Sequence, residues 1–448
     1  MRRYPKYKDS GVELIGDIPE NWELIRLGDL GVFSSSGIDK KLDENEERVR
    51  MVNYTDIIQN RKYSSIQNSK KEYMVVTTPL SKLSEHRLKK GDLVFIPSSE
   101  TQEDLGYSSL IDFEESDIVF SYHIIRFQFK KEVCHYFKKY LTNYHLVLNQ
   151  FSSEAKGTTR QIVGRNVFRN IKVVLPPLTE QQQIVTYLDQ KTSIIDRIIS
   201  NSEKKIETLR EQRTCIINHT VTKGLNPKVK MKDSGVEWIG EIPEGWGVIP
   251  LRLLYEKIGS GITPRGGSEV YVEEGVVFIR SQNVHFGGLR IDDVVKIEKN
   301  THNKMRGTWV FKEDVLLNIT GGSIGRCCVV KSEEPMNVNQ HVCIVRPNKV
   351  MSSYFLNLTL QSFIGQTQIE FYITGGNREG LSIENIKNFK ITVPKISEQL
   401  QIVTYLDQKT KEIDDLILSE QKRIQLMKEY RQSLISEVVT GKIKVTEK

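Results

Sequence analysis

Between Leu188 and Ile216, apolar residues recur every three or four positions: Leu188, Ile195, Ile199, Ile206, Leu209 and Ile216. Thr192, Ser202 and Arg213 take the polar places in the same stripe. The pattern returns 218 residues later as Leu406, Ile413, Ile417, Ile424, Met427 and Leu434, with Thr410, Glu420 and Arg431 in register. Such spacing is one face of an α-helix, and sustained this far it predicts a coiled-coil seam. Pro176-Pro177 and Pro394 stop the preceding extended segments, and Thr179 and Ser397 stand where N-caps are expected. Gln182 offers a capping box in the first copy, and Leu400 removes it in the second. Gly224 and Gly441 mark the C-terminal ends. Two helices of about 44 residues, each about 66 Å long, are predicted to pack together. An antiparallel pair has a two-fold axis and gives the rest of each half an equivalent pose, whereas a parallel pair crowds both halves at one end. The antiparallel arrangement is therefore expected.

The remaining chain has a shorter period. "DLVFI", "IIRFQF", "NIKVVL", "GVVFIR", "DVLLNI" and "HVCIVRP" read as strands, and His135–Phe151 and Ser352–Gln368 are apolar at helical spacing. The prediction is an α+β fold with two similar domains of roughly 150 residues, an ordinary domain size. The expected boundaries are a first domain at 1–178, a first spacer helix at 179–224, a second domain at 225–395, a second helix at 396–443 and a tail at 444–448.

Repetition extends beyond the helices. Lys6–Leu27, "KYKDSGVELIGDIPENWELIRL", recurs 224 residues on as "KMKDSGVEWIGEIPEGWGVIPL", and "QIVTYLDQKT" is identical at Gln183–Thr192 and Gln401–Thr410. Between these matched ends the halves diverge, the first variable region being six residues longer. Some skeleton survives: "SYHIIRF" at Ser121–Phe127 resembles "NQHVCIV" at Asn339–Val345, placing His123 opposite His341. Both histidines lie in apolar strands and read as core or interface residues. One frame holding two unlike surfaces suggests a two-part target.

Composition changes this picture only modestly. Of 448 residues, 27% are charged and the net charge is +7, a mild basic excess that permits a polyanionic partner without requiring one. Cys134, Cys215, Cys327, Cys328 and Cys343 have neither CxxC spacing nor a flanking His pair suited to zinc, so reduced thiols in a cytosol are expected. No run approaches the roughly 18 apolar residues of a membrane span. A soluble, cytoplasmic protein without a membrane partner is the expectation.

Candidate chemistry lies in polar loops. The second half carries "SGITPRGG", "IRSQNVHFGGLR", "TGGSIGR" and "TGGNREG"; the first carries "KYSS" beside Arg61, Asn53-Tyr54-Thr55, "PSSETQED" and "KGTTRQ". Arg suits guanine, Asn and Gln suit adenine, and Ser, Thr and backbone N–H groups hold phosphate. Catalytic motifs are missing. The Gly-rich loops lack the GK[ST] ending of a P-loop and the strand–GxGxxG–helix context of a dinucleotide fold. "LPPL" lacks the polar residue and aromatic that an amino-methyltransferase places around Pro-Pro. There is no nucleophile elbow, no HExxH and no convincingly paired carboxylates. A self-contained enzyme is not expected.

The duplicated "DSGVEWIGEIPEGW" element, "SGITPRGG" opening the second variable region, and the helix starts "LTEQQQIVTYLDQKT" and "ISEQLQIVTYLDQKT" together resemble the DNA specificity subunits of type I restriction-modification systems, over nearly the whole chain. The resemblance implies two target-recognition domains, each reading half of an interrupted double-stranded DNA site. It also implies two spacer helices that dock two methyltransferase subunits, with motor and nuclease subunits joining for restriction. No catalytic residue, metal or cofactor is implied on this chain; S-adenosylmethionine, ATP and Mg2+ belong to the partners.

Ser260, Gly261, Thr263 and Arg265 match the family's loop, as do Ser36 and Gly37, where Asp39 and Lys40 replace Thr-Pro. Arg280, Gln282, Asn283, Asn377 and Arg378 are further DNA-contact candidates, with Asn53, Thr55, Lys156, Thr159 and Arg160 as their counterparts in the first half. Glu180, Lys191, Glu398 and Lys409 are candidates for partner contact. Two domains on one side of a duplex set half-site centres about 10 bp apart. An orphan specificity subunit serving methylation only is an alternative within the family. A coiled-coil scaffold that binds no DNA is the rival outside it.

Overall fold

The computed structural model describes residues 3–61, 65–373 and 380–445. It divides into two compact units, one formed by Met1–Glu203 with Gln421–Lys448 and the other by Lys204–Glu420. Each unit therefore takes one α+β domain together with a part of each long helix.

The long helices run Leu178–Lys223 and Ile396–Val439. Their directions are set within the second unit: Lys205 pairs with Glu420 at 2.7 Å and Arg213 with Asp414 at 3.0 Å, so rising numbers in one helix meet falling numbers in the other. The helices are antiparallel. In the first unit Arg431 pairs with Asp196 at 2.9 Å. Arg431 and Asp196 are the repeat counterparts of Arg213 and Asp414, so the polar places in the seam hold a duplicated ion pair. Polar seam groups of this kind specify register more than they stabilise.

The helix starts differ from expectation. Thr179 and Ser397 lie inside the first turns, because the carbonyls of Pro177 and Lys395 already accept from Glu180 and Gln181, and from Glu398 and Gln399. The capping box with Gln182 does not form. Instead Gln181 and Gln399, both fully buried, reach backwards: Gln181 Nε2 donates to the Pro176 carbonyl at 2.8 Å and Gln399 Nε2 to that of Pro394 at 2.9 Å. Their carboxamide oxygens accept from the backbone N–H of Cys134 and Ser352, each at 2.8 Å. Each glutamine thus fastens a helix start to the domain before it. The second helix ends at Val439, before the expected 443, where Gly441 takes a φ of +74°.

In the first unit a five-stranded sheet runs in the order 31–35, 125–129, 93–95, 108–111, 66–67, beside a three-stranded sheet ordered 118–120, 47–52, 74–78. In the second, a four-stranded sheet (255–260, 342–347, 315–318, 327–329) accompanies a five-stranded one (271–272, 295–297, 276–279, 336–338, 309–310). The two expected helices are each broken. His135–Phe151 divides because the Asn143 carboxamide is drawn onto both backbone groups of Ser108 at 2.9 Å. Ser352–Gln368 divides at Ser362, and Gly365 beyond it sits so close to Leu360 that a Cβ would lie 2.3 Å from the Leu360 carbonyl oxygen.

The repeated "DSGVE" element is a turn between short antiparallel strands, 7–9 with 17–19 and 231–233 with 241–243. Asp9 and Asp233 accept from the N–H of Gly11 and Gly235, while Ser10 and Ser234 accept from Val12 and Val236. Left-handed backbone at Gly11 and Gly235, φ +68° and +70°, explains the glycine. The element is scaffold. The tryptophan that follows each copy is buried and donates to a helix carboxylate, Trp22 to Glu180 at 3.2 Å and Trp246 to Glu398 at 3.1 Å.

Candidate nucleic-acid interface

Each domain contains a parallel strand pair whose C-terminal ends carry loops. In the second unit 276–279 runs parallel to 336–338, with Ile279 opposite Val338, so Arg280-Ser281-Gln282 and Asn339-Gln340-His341 emerge side by side. The loop of Ser260–Gly266 joins them: Gly261 N–H donates to Val342, Ile262 N–H to Val338, and the Thr263 hydroxyl to Gln340 Oε1. Gly261 is required there, since a Cβ would lie 2.0 Å from the Val338 carbonyl oxygen. The 320–323 turn closes on the same place, with Thr320 Oγ1 2.5 Å from His341 Nδ1, a bridge from Thr320 to Gly380, and Asn318 Nδ2 donating to the Ser281 carbonyl at 2.8 Å.

The first unit repeats the plan. Strand 47–52 runs parallel to 118–120 with Val52 opposite Phe120, so Asn53-Tyr54-Thr55 and Ser121-Tyr122-His123 are neighbours. Tyr122 N–H donates to Ile38 at 3.1 Å, bringing in the 36–40 loop. Tyr54 OH lies 3.3 Å from Ser99 Oγ, and Arg160 Nε donates to Ser98 Oγ at 3.4 Å. Burial, reinforced by the Arg160 and Lys40 charges and opposed by the Asp39 carboxylate, pushes the His123 imidazole down.

The sequence candidates separate into two groups. Gly37, Thr55, Lys156, Thr159, Arg160, Ser260, Arg265 and Gln282 are exposed, and Thr263 and Arg280 half-buried. Arg280 lies 5.9 Å over the Tyr271 ring, and its Nε has no hydrogen-bond partner among the described residues. Ser36, Asn53, Gly261 and Asn283 are buried. Ser36 Oγ accepts from Ile38 N–H at 3.0 Å, Asn53 Oδ1 from Tyr54 N–H at 2.8 Å and Ser121 Oγ at 3.0 Å, and Asn283 Oδ1 from Arg280 N–H at 3.0 Å. Ser36, Asn53 and Asn283 thus spend polar side-chain atoms inside the loops and shape them, and Gly261 allows the close approach of two of them. Asn377, Arg378 and Lys62–Ser64 lie outside the described residues.

On the helices, Glu180 accepts from Tyr4 OH at 2.5 Å, Asn21 Nδ2 at 3.0 Å and Trp22 Nε1, and Glu398 from Trp246, so both carboxylates anchor their own domains. Both residues are half-buried. Lys191 and Lys409 face outward in matching stripes: Tyr187, Lys191, Ile194 and Ile198 in one, Tyr405, Lys409, Glu412 and Leu416 in the other. Lys409 pairs with Glu412 at 2.7 Å, which raises its ammonium above the usual lysine range. Among the described residues no group of three or more His, Cys, Asp or Glu side chains could hold a metal ion, and no helix is long and apolar enough to cross a membrane.

Comparison with known proteins agrees with this architecture. A specificity subunit from Methanocaldococcus jannaschii, named for the type I restriction enzyme MjaX, is 26% identical over 439 residues, covering 96% of each chain. A chain solved in work on complex assembly and conformational transition of the type I R-M system superposes with a TM-score of 0.71 at 15% identity, over 95% of this chain and 99% of that one. The HsdS subunit from Thermoanaerobacter tengcongensis gives 0.52 at 17% identity, over 95% and 98%. The family model described as the type I restriction modification DNA specificity domain matches twice, at residues 19–208 and 243–426. Because those two matches span most of the chain and fall on the two repeated halves, the protein belongs to the type I restriction-modification DNA specificity family.

Proposed function

We propose that this non-catalytic specificity subunit reads an interrupted, asymmetric double-stranded DNA site, one half with each α+β domain, and docks two methyltransferase subunits on its duplicated helix surfaces. The carrying observation is the convergence, in both units, of separate polar loops onto the ends of one parallel strand pair. Sequence readers need several side chains at one place, some on phosphates and some on base edges. Arg160, Lys156 and Thr159 in the first unit, and Arg265, Arg280, Gln282 and Thr263 in the second, supply both kinds. The loops differ between units, so the two half-sites differ.

Docking follows from the other half of the duplication. The stripes centred on Lys191 and Lys409 share a tyrosine, a lysine and an apolar residue, Ile198 or Leu416, at equal spacing, while Ile194 of the first is answered by Glu412 in the second; Lys191 lies 5.8 Å over the Tyr187 ring. Two copies of one surface suit two copies of one partner. S-adenosylmethionine is brought by those partners, and ATP and Mg2+ by the motor and nuclease subunits that join for restriction. The test is to supply the full chain with its methyltransferase subunit and S-adenosylmethionine and map the methylated positions. One bipartite sequence is expected. Arg280→Ala should cost about 1–3 kcal/mol and relax one half-site only if it contacts a base, whereas equal weakening on every sequence marks a phosphate contact. Methylation without sequence preference would refute the proposal.

A further inference from the structure

The turn after the second parallel strand is the same in both units. Ser121 N–H donates to Val52 and Asn339 N–H to Ile279, each at 3.0 Å; Ile124 N–H returns to Ser121 at 3.2 Å and Val342 N–H to Asn339 at 3.1 Å. The first side chain of the turn also caps it: Ser121 Oγ accepts from His123 N–H at 3.3 Å, and Asn339 Oδ1 from His341 N–H at 3.2 Å. These matched bonds place the middle residue identically, among the loops described above. That residue is exposed in both units, and it is Tyr122 in one and Gln340 in the other.

In each case the histidine beside it serves as a rest. The Tyr122 and His123 rings are 3.8 Å apart. Gln340 Nε2 lies 3.2 Å from His341 Nε2, and Gln340 Oε1 accepts from Thr263. His341 is held in turn by Thr320. The Gln340 carboxamide is therefore clamped at both ends while its outer edge faces solvent. Holding a long polar side chain in one rotamer before binding removes part of the ordering cost of binding.

We propose that Tyr122 and Gln340 are specificity-determining residues, each reading a base edge in its own half-site, with Gln340 recognising adenine. A planar carboxamide offers one donor and one acceptor side by side, the complement of adenine N7 and N6 in the major groove. Tyr122 presents an apolar ring and a hydroxyl, which suit a thymine methyl and a neighbouring acceptor. An invariant turn carrying a divergent, exposed tip lets the domain frame stay constant while the base it prefers changes. This inference rests on the DNA-reading function proposed above.

The experiment selects bound sequences from a random duplex library, using the full chain with its methyltransferase partner, for the wild type and for Gln340→Ala, Gln340→Glu and Tyr122→Ala. Gln340→Ala is expected to lose at least tenfold discrimination at one adenine-containing position of one half-site, leaving the other half-site unchanged. Gln340→Glu, which can only accept, should move the preference at that position toward cytosine. Tyr122→Ala should broaden a position in the opposite half-site. Discrimination within twofold of wild type at every position, or uniform weakening across all positions, would overturn the inference. If the wild-type complex itself selects no bipartite sequence, it is the underlying DNA-reading function that falls. Thermal melting unchanged from wild type confirms that these exposed substitutions leave the fold intact.

Discussion

Gln399→Leu tests the joint between recognition domain and spacer helix. Gln399 is wholly buried and makes three hydrogen bonds: to the Pro394 carbonyl at 2.9 Å, to the Val350 carbonyl at 2.9 Å, and from the Ser352 N–H at 2.8 Å. Leucine has similar volume, so the cavity contribution is small and the loss is polar. Val350 is 55% exposed, and water can replace the bond at its carbonyl. The buried Pro394 carbonyl has no such recourse and the half-buried Ser352 N–H only part of one, and an orphaned buried group costs about 1–3 kcal/mol. The expected loss is about 2–5 kcal/mol in the second unit. Because a two-unit chain need not unfold in one step, native-state hydrogen exchange of strand 342–347 is the suitable assay. A 3 kcal/mol loss speeds exchange by about a hundredfold, at 1.4 kcal/mol per factor of ten. Leu400→Ala, at a neighbouring exposed position, serves as the control and should change stability by less than about 0.5 kcal/mol. A Gln399→Leu effect below about 1 kcal/mol would refute the assignment of this glutamine as the fastening residue.

Other outcomes follow from the same structure. Burial pushes the Asp92 carboxyl up to about 6, against the pull of the Lys89 N–H and the Arg126 charge. The folded state thus holds this proton more tightly than the unfolded chain, so the stability it contributes is present below about pH 4 and is lost as pH rises through about 6. Asp92→Asn, which keeps the acceptor for the Lys89 N–H, should remove that pH dependence and add up to about 3 kcal/mol to the first unit at pH 7; urea titrations at pH 4, 5, 6 and 7 check it. Lys191→Glu and Lys409→Glu should each remove one bound methyltransferase subunit in mass-resolved complexes, and the double variant both, while DNA binding by the full chain persists. Lengthening the gap in the preferred DNA by half a helical turn should abolish high-affinity binding in a gel-shift assay, because one half-site then faces away from its reader.

Much of this architecture was legible in the linear pattern. The 3–4 spacing repeated across 218 residues predicts both long helices, and the placement of Arg213 and Arg431 among the polar places of mainly apolar stripes anticipates seam contacts. The duplication predicts paired domains, because equal sequences meet equal local physics. The divergent loops predict where the two surfaces differ. Even the turn that carries Tyr122 and Gln340 is visible as "SYH" against "NQH", although apolar neighbours there suggest a core strand with no exposed tip.

What tertiary structure alone decided is the direction in which polar side chains point. Asn53, Asn283 and Ser36 have the residue types of DNA contacts, yet they turn inward to bond backbone groups of their own loops. Glu180 and Glu398 are polar positions of a helix surface until a tryptophan from a distant segment arrives beside each. Gln181 and Gln399, unremarked in the pattern, hold both joints because a carboxamide can satisfy a carbonyl and an N–H together where water is excluded. Periodicity reports only which face of an element is apolar. Whether a polar group on a loop meets solvent or an unpaired backbone group depends on segments far away in sequence, and the cost of leaving a buried backbone group unpaired settles the choice.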